Sequence, residues 1–237
     1  MERIKNQAMM LLEIFSQKVR LLTCKADLLR AINQKNTLLL ALNANKFAIE
    51  EESFWKSLNE NFKVFGYFDG IGAMIRLFIF RNRVPGVELW LDILNNTDHQ
   101  KIFLYGGRND VFKESIDILR NRYPTKTFKG INGYSGYEDV LQSICNFNPT
   151  LVIAALGSPK QELMLANLRR DASCEFSALG IGGSLDVLVG NISRAPRLIR
   201  ELGLEGAWRI FLEPKKRIRN VKAIFVMWRT PIRVKHE

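Results

Sequence analysis

The apolar run Val64-Phe65-Gly66-Tyr67-Phe68 ends at a carboxylate and two glycines, Asp69, Gly70 and Gly72, and is followed by Ala73-Met74-Ile75-Arg76-Leu77. The segment reads as strand, tight turn and helix. In an open parallel sheet, ligands bind beyond the carboxyl ends of the strands, so a carboxylate at that place can point into the crevice where a substrate lies. Asp69 is therefore the leading candidate for chemistry. An Asp just before a helix is equally at home as its N-cap, and the segment alone leaves both roles open.

Other strand ends carry glycine-rich turns of the same kind: Gly106-Gly107, Gly157-Ser158-Pro159 and Gly180-Ile181-Gly182-Gly183. Glycine lets backbone approach a ligand closely, and free N–H groups at helix starts attract phosphate. Taken singly, such turns are routine in α/β folds. The turn at 157–162 also brings Gln161 and Glu162 into the first turn of a helix, where Gln161 can meet a sugar hydroxyl or a phosphate, or where both can simply stabilise the helix start. Arg83, in the loop after Asp69, has the planar fork that pairs with phosphate; a solvated loop arginine is the plainer alternative.

Several chemistries are disfavoured. Two histidines, His99 and His236, leave no basis for a His triad or a His-rich metal site, and the three cysteines, Cys24, Cys145 and Cys174, form no C-x-x-C pair. The odd, scattered cysteines fit a reducing compartment. Gly70-x-Gly72 reaches Ile75 where a dinucleotide fingerprint needs Gly or Ala, and neither a P-loop nor an Asp-x-Asp pair occurs.

The elements that must position these residues alternate along the chain. Strands are expected at 18–22, 37–42, 64–68, 101–105, 125–131, 150–156 and 176–181, the last of the strands. Helices are expected at 25–34, 46–59, after Asp69, and at 87–94, 110–122, 137–146 and 160–169. Continuous apolar runs such as Thr37–Leu42 mark strands buried on both faces. Strands alternating with helices indicate βαβ units: a Rossmann-like, mostly parallel α/β sheet with helices on both faces. Residues 1–16 read as an amphipathic or loosely ordered leader. The 237-residue chain, 47% hydrophobic, can bury a sizeable core.

Charge is uneven. Of a net +11, the last fifth from Arg194 contributes +8, twelve Lys/Arg against four Asp/Glu. From there the chain reads as helices at 195–202, 207–212 and from Pro214 onward, the last with Ile218, Val221, Phe225 and Trp228 along one side. A basic amphipathic segment seeks a polyanion, an anionic membrane or a groove. The expected division is an α/β catalytic domain at 1–193 and a basic helical appendage at 194–237. No apolar run approaches the roughly 18 residues of a spanning helix, and the amino terminus leads into no signal peptide.

Seven motifs occur in a set order: Asp-Gly-x-Gly at 69–72, Arg-Val-x-Gly-x-Glu-Leu at 83–89, Gly-Ser-Pro-Lys-Gln-Glu at 157–162, Gly-Ile-Gly-Gly-Ser-Leu-Asp at 180–186, Arg-Ala-Pro at 194–196, Gly-Leu-Glu at 203–205 and Glu-Pro-Lys-Lys-Arg at 213–217. In these, from about Asn36 to Arg219, the chain resembles the WecG/TagA/CpsF glycosyltransferase family. The resemblance implies an inverting, metal-independent transfer of a sugar from a UDP-sugar to a polyprenyl-diphosphate-linked saccharide in bacterial surface polysaccharide synthesis, with no cofactor. It makes Asp69 the general base, and Arg83, Asn43 and Gln161 polar residues of the pocket. Ala41 stands where the family usually has threonine. With no metal, the departing UDP is stabilised by Arg83 and backbone N–H groups, which makes Gly70, Gly72, Gly106, Gly107, Gly157, Gly182 and Gly183 candidate binding positions. Arg209, Arg217 and Arg219 are the choices for the acceptor diphosphate. The expected location is cytoplasmic, peripheral at the inner face of the membrane and held by anionic lipid; no nucleic-acid partner is expected, and the sequence does not set the oligomeric state. The rival reading is a nucleic-acid-binding α/β protein with a basic C-terminal tail.

Overall fold

The computed structural model describes residues 10–79, 83–201, 204, 205, 208, 211, 222, 223 and 225–236. In chain order these form β1 (Met10–Ile14), β2 (Gln17–Leu21), α1 (Lys25–Ile32), β3 (Thr37–Leu42), α2 (Ala44–Phe47), α3 (Glu52–Asn61), β4 (Lys63–Phe68), α4 (Ile71–Leu77), α5 (Gly86–Asn96), β5 (Lys101–Gly106), α6 (Asn109–Arg122), β6 (Thr127–Ile131), α7 (Tyr137–Phe147), β7 (Leu151–Ala155), α8 (Lys160–Asp171), β8 (Ser177–Gly180), α9 (Ser184–Leu188), α10 (Arg197–Glu201) and β9 (Ile232–His236).

The strands make one sheet in the order β6-β5-β7-β8-β3-β4-β2-β1-β9. From β6 to β2 all neighbours are parallel, while β1 runs antiparallel to both β2 and β9. The apolar runs occupy the middle, as a strand covered on both faces requires: all five residues of β7 are buried, and so are five of the six in β3. Alternate side chains feed two cores. Leu38, Leu40 and Leu42 join Phe54, Trp55 and Leu58 of α3, Ile144 of α7 and Leu165 of α8 on one face. Leu39 and Tyr67 join Leu28 of α1, Trp90 and Ile93 of α5 and Leu119 of α6 on the other. Helical spacing supplies each buried stripe, as with Val140, Ile144 and Phe147 of α7. At roughly 25 cal/mol per Å² of apolar surface, these two layers dominate the stability of the fold.

The alternating α/β order is as read, with four differences. The leader contains a strand, since Met10–Ile14 pairs with Gln17–Leu21 as a hairpin; its residues are apolar nearly throughout, which hides strand period. The helix read over 46–59 is two helices, α2 and α3, separated at Ala48–Glu51, where the Ile49 carbonyl accepts from Trp55 Nε1 at 3.2 Å. The short α9 follows Gly182-Gly183 where no element was read. Finally, Phe176–Ile181 does not hold the last strand: Ile232–His236 pairs along its whole length with β1. Ile232 and Val234 alternate with Arg233 and Lys235, a period of two that a basic helical reading of the tail conceals. Residues from both sides of the 193/194 division thus share one sheet. Of the helices read over 207–212 and from Pro214, residues 207, 209, 210, 212, 214–221 and 224 lie outside the described residues, while 222, 223 and 225–227 are helical.

Candidate active site

Helices α3, α4 and α8 cover one face of the sheet, and α5 and α6 cover the other. Their loops diverge, and the carboxyl edge above β7, β8, β3 and β4 is left between them, the usual place for a ligand in such a sheet. Asn43, Asp69, Gly157 and the turn at 180–183 all stand there.

Asp69 leaves β4 half-buried. It does not cap the helix that follows it: the N-cap of α4 is Gly70, which makes no side-chain cap bond. Instead Asp69 Oδ1 accepts the N–H of Gly86, the first residue of α5, at 2.7 Å. Gly86 is closely packed here: a Cβ would lie 3.2 Å from both Asp69 Oδ1 and the Tyr67 hydroxyl oxygen, tighter than an ordinary van der Waals contact. One carboxylate oxygen is thereby fixed, and Oδ2 has no hydrogen bond among the described residues. Tyr67 is fully buried beside it. Burial, then the Asp69 and Glu162 carboxylates, push its phenol well above its ordinary range, so it stays neutral.

Arg83 is next to Asp69, but its fork is occupied by carbonyls: NH1 donates to Asp69 O at 3.2 Å and NH2 to Arg200 O. It makes no ion pair among the described residues, so its charge is not cancelled by a neighbouring carboxylate. It borders a hollow of about 220 Å³ lined also by Lys25, Pro85, Glu88 and Asp92. A larger groove, about 540 Å³, lies between α6 and α7 at the β6 edge, away from these residues. Arg194 of the Arg-Ala-Pro segment and Arg200 of α10 turn inward: Arg194 meets Glu88 at 3.0 Å and Glu205 at 3.6 Å, and Arg200 meets Glu88 at 3.5 Å. Glu88 therefore works as an anchor for the segment after 193, beyond the helix-dipole role its place in the first turn of α5 suggests.

Asn43 is the N-cap of α2, its Oδ1 accepting from Lys46 N at 3.2 Å. Gln161 is buried, and its amide is spent inside the protein. Its Oε1 accepts from Gly157 N at 3.2 Å and Gly182 N at 3.0 Å, while Nε2 donates to Glu162 Oε1 at 2.7 Å. The glycines divide in two. At Gly106, with φ of 133°, a Cβ would meet the Ala155 carbonyl oxygen at 2.5 Å, and at Gly107 it would meet Leu185, so both serve packing. At Gly70, Gly72, Gly157, Gly182 and Gly183 a Cβ would meet nothing within 4 Å, which leaves room above the edge. Arg209, Arg217 and Arg219 lie outside the described residues. Among the described residues no three His, Cys, Asp or Glu side chains cluster as metal ligands would.

Sequence reasoning passed over Lys46 and Tyr67, and it left Glu162 a helix-start residue. Lys46 and Glu162, 1% and 2% exposed, form a buried ion pair at 2.8 Å across the edge. The pair joins residues 116 positions apart, and no local pattern announces it.

Residues 11–236 match the model of the Glycosyl transferase WecG/TagA/CpsF family. Among curated proteins, the N-acetylglucosaminyldiphosphoundecaprenol N-acetyl-beta-D-mannosaminyltransferases of Staphylococcus aureus strains NCTC 8325 and COL are each 30% identical over 205 residues, spanning 81% of this chain and 79% of theirs. That of strain MRSA252 is 30% identical over 204 residues with the same coverage.

Proposed function

The chain belongs to the WecG/TagA/CpsF glycosyltransferase family, and from that premise we propose that it moves a sugar from a UDP-sugar, with inversion and without a metal, onto a polyprenyl-diphosphate-linked saccharide for a bacterial surface polysaccharide. The relatives' name describes N-acetylmannosaminyl transfer to N-acetylglucosaminyl-diphosphoundecaprenol, and an acceptor of that class is the one we assign here. With membership of an enzyme family, the nucleic-acid reading loses its ground.

The observation that carries the reading is Asp69: a carboxylate at the end of β4, steadied through one oxygen by Gly86 N–H, with open space at Gly70 and Gly72 beside it. In the proposed reaction it removes the proton of the acceptor hydroxyl as that oxygen attacks the anomeric carbon. The C–O bond to UDP breaks on the opposite side, which gives inversion. General-base help of this kind is worth about 10²–10⁴ in rate. Negative charge gathers on the departing diphosphate. Arg83, which donates to the Asp69 carbonyl, is proposed to meet it, and Arg209, Arg217 and Arg219 to complete its neutralisation.

A lipid-linked acceptor puts the enzyme at a membrane. Among the described residues no helix is long and apolar enough to cross one. A surface suited to lying on one is formed by α4 and the tail: Ile75, Phe78, Phe225 and Trp228 are exposed, and Arg76 ties them together by donating to Met227 O at 3.2 Å and Thr230 O at 3.1 Å and stacking 5.5 Å from the Trp228 ring. Phe78 is 76% exposed and holds a left-handed φ of 54°, a conformation that costs an L-residue about 1–2 kcal/mol. The left-handed turn caps the end of α4, and the exposure of the ring is intelligible if it enters lipid. The test is UDP release from a panel of UDP-sugars that includes the N-acetylmannosamine donor, with EDTA present and a short-chain polyprenyl-diphosphate-linked GlcNAc acceptor. Release requiring both donor and acceptor is the expected result, and UDP that fails to bind at all would overturn the reading.

A further inference from the structure

Three neighbouring strands, β7, β8 and β3, end in turns joined by one buried polar chain. Lys46, in the short helix α2 after β3, donates through Nζ to Ser158 Oγ at 2.5 Å and Glu162 Oε1 at 2.8 Å, both after β7. The same Glu162 oxygen accepts from Gln161 Nε2 at 2.7 Å, and Gln161 Oε1 then holds the N–H groups of Gly157 and Gly182, the latter after β8. Gln161 lies directly on Gly180, where a Cβ would come within 2.2 Å of its Nε2. Asn43 closes the chain by accepting from Lys46 N. Lys46 and Glu162 are too deeply buried to touch a substrate.

Stability is a poor explanation for this arrangement. Taking both charges out of water consumes most of the Coulomb attraction, and apolar pairs of similar volume commonly replace buried ion pairs without loss. Glu162 Oε2 is, moreover, buried with no hydrogen bond among the described residues. What an apolar pair cannot do is orient Gln161, and through it the two glycine turns.

We propose that Lys46 and Glu162 are positioning residues for the nucleotide part of the donor: the pair fixes Gln161, Gln161 fixes the turns at 157 and 182, and those turns form the wall against which the UDP group is bound. This rests on reading the edge as a UDP-sugar site. The pair acts on binding and leaves the chemical step at Asp69 alone, so its loss appears in donor KM and not in kcat.

The experiment compares the parent with K46M/E162L in thermal melting, UDP affinity by calorimetry, donor KM and kcat, and amide exchange of peptides containing Gly157 and Gly182. The double variant is expected to melt within a few degrees of the parent. Its UDP Kd and donor KM should rise at least fivefold, its kcat should stay within threefold, and exchange should quicken in those peptides and not in the β3 and β7 strands. A folded variant with a smaller rise in Kd, or one that loses kcat at unchanged KM, overturns the proposal. Should the double variant fail to fold, E162Q, which keeps the side-chain shape, decides: UDP affinity lowered at least threefold supports the proposal, and a smaller change overturns it. A parent that does not bind UDP defeats the UDP-sugar reading and this role with it. A parent and variants that bind UDP equally defeat this role alone.

Discussion

The two ends of the carboxyl edge are built on different principles. Over β7, β8 and β3 the polar groups are buried and spent on one another: Lys46 on Glu162 and Ser158, Gln161 on two backbone amides. Over β4 the groups are half-exposed and only partly engaged. Among the described residues Asp69 has one oxygen held and one without a hydrogen bond, Arg83 makes no ion pair, and an exposed apolar surface begins at Phe78. The contrast suggests a division of labour. A bound nucleotide profits from a wall fixed in advance, since pre-organisation lowers the cost of binding. An acceptor that arrives on a lipid needs an approach left open, and a base needs an oxygen free to take a proton.

The sharpest way to break this comparison is at Asp69. Asp69→Asn keeps the shape and an oxygen for Gly86 N–H, so transfer should fall by about 10²–10⁴ while UDP affinity and melting temperature stay near the parent's. Loss of UDP binding in this variant would show that the two ends are one site. Next in size is Phe78→Asn. Burying a phenylalanine side chain is worth about 1.5–3 kcal/mol, so the variant should bind anionic vesicles roughly 10- to 100-fold more weakly. It should melt no lower than the parent, because Asn tolerates the left-handed conformation; unchanged vesicle binding would remove α4 from the membrane face.

The smallest effect is expected at the opposite edge, which takes no part in either role. His99 is buried before β5 with Nε2 at 3.0 Å from Ile32 O, and burial lowers its pKa below the ordinary 6.5. In the unfolded chain it takes up a proton near pH 6.5 that the folded chain refuses, so its contribution to stability is fully present above that pH and is lost as pH falls below it. Chemical-denaturation midpoints from pH 7.5 down to 5 should decline more steeply in the parent than in His99→Leu. Equal slopes would mean that His99 is not responsible.

Much of the fold and the whereabouts of Asp69 could be read without coordinates, because the signals are local. A strand buried on both faces must be apolar nearly throughout, as Leu38–Leu42 and Leu151–Ala155 are, and a helix covering a sheet must repeat its apolar residues at helical spacing, as Val140, Ile144 and Phe147 do. Chemistry at a parallel sheet gathers at strand ends, so Asp69 and the glycine turns could be named, and seven ordered motifs identified the family. Only the tertiary structure could decide the rest, because the partners lie far apart in the chain. The edge strand β9 joins the sheet only through β1, from the opposite end of the sequence. Asp69 steadies α5, 17 residues on, and leaves the adjacent α4 uncapped. Lys46 and Glu162 pair across 116 residues. Periodicity records which way a side chain faces within its own element; which charge it meets there is fixed only when separate elements pack and water is excluded between them.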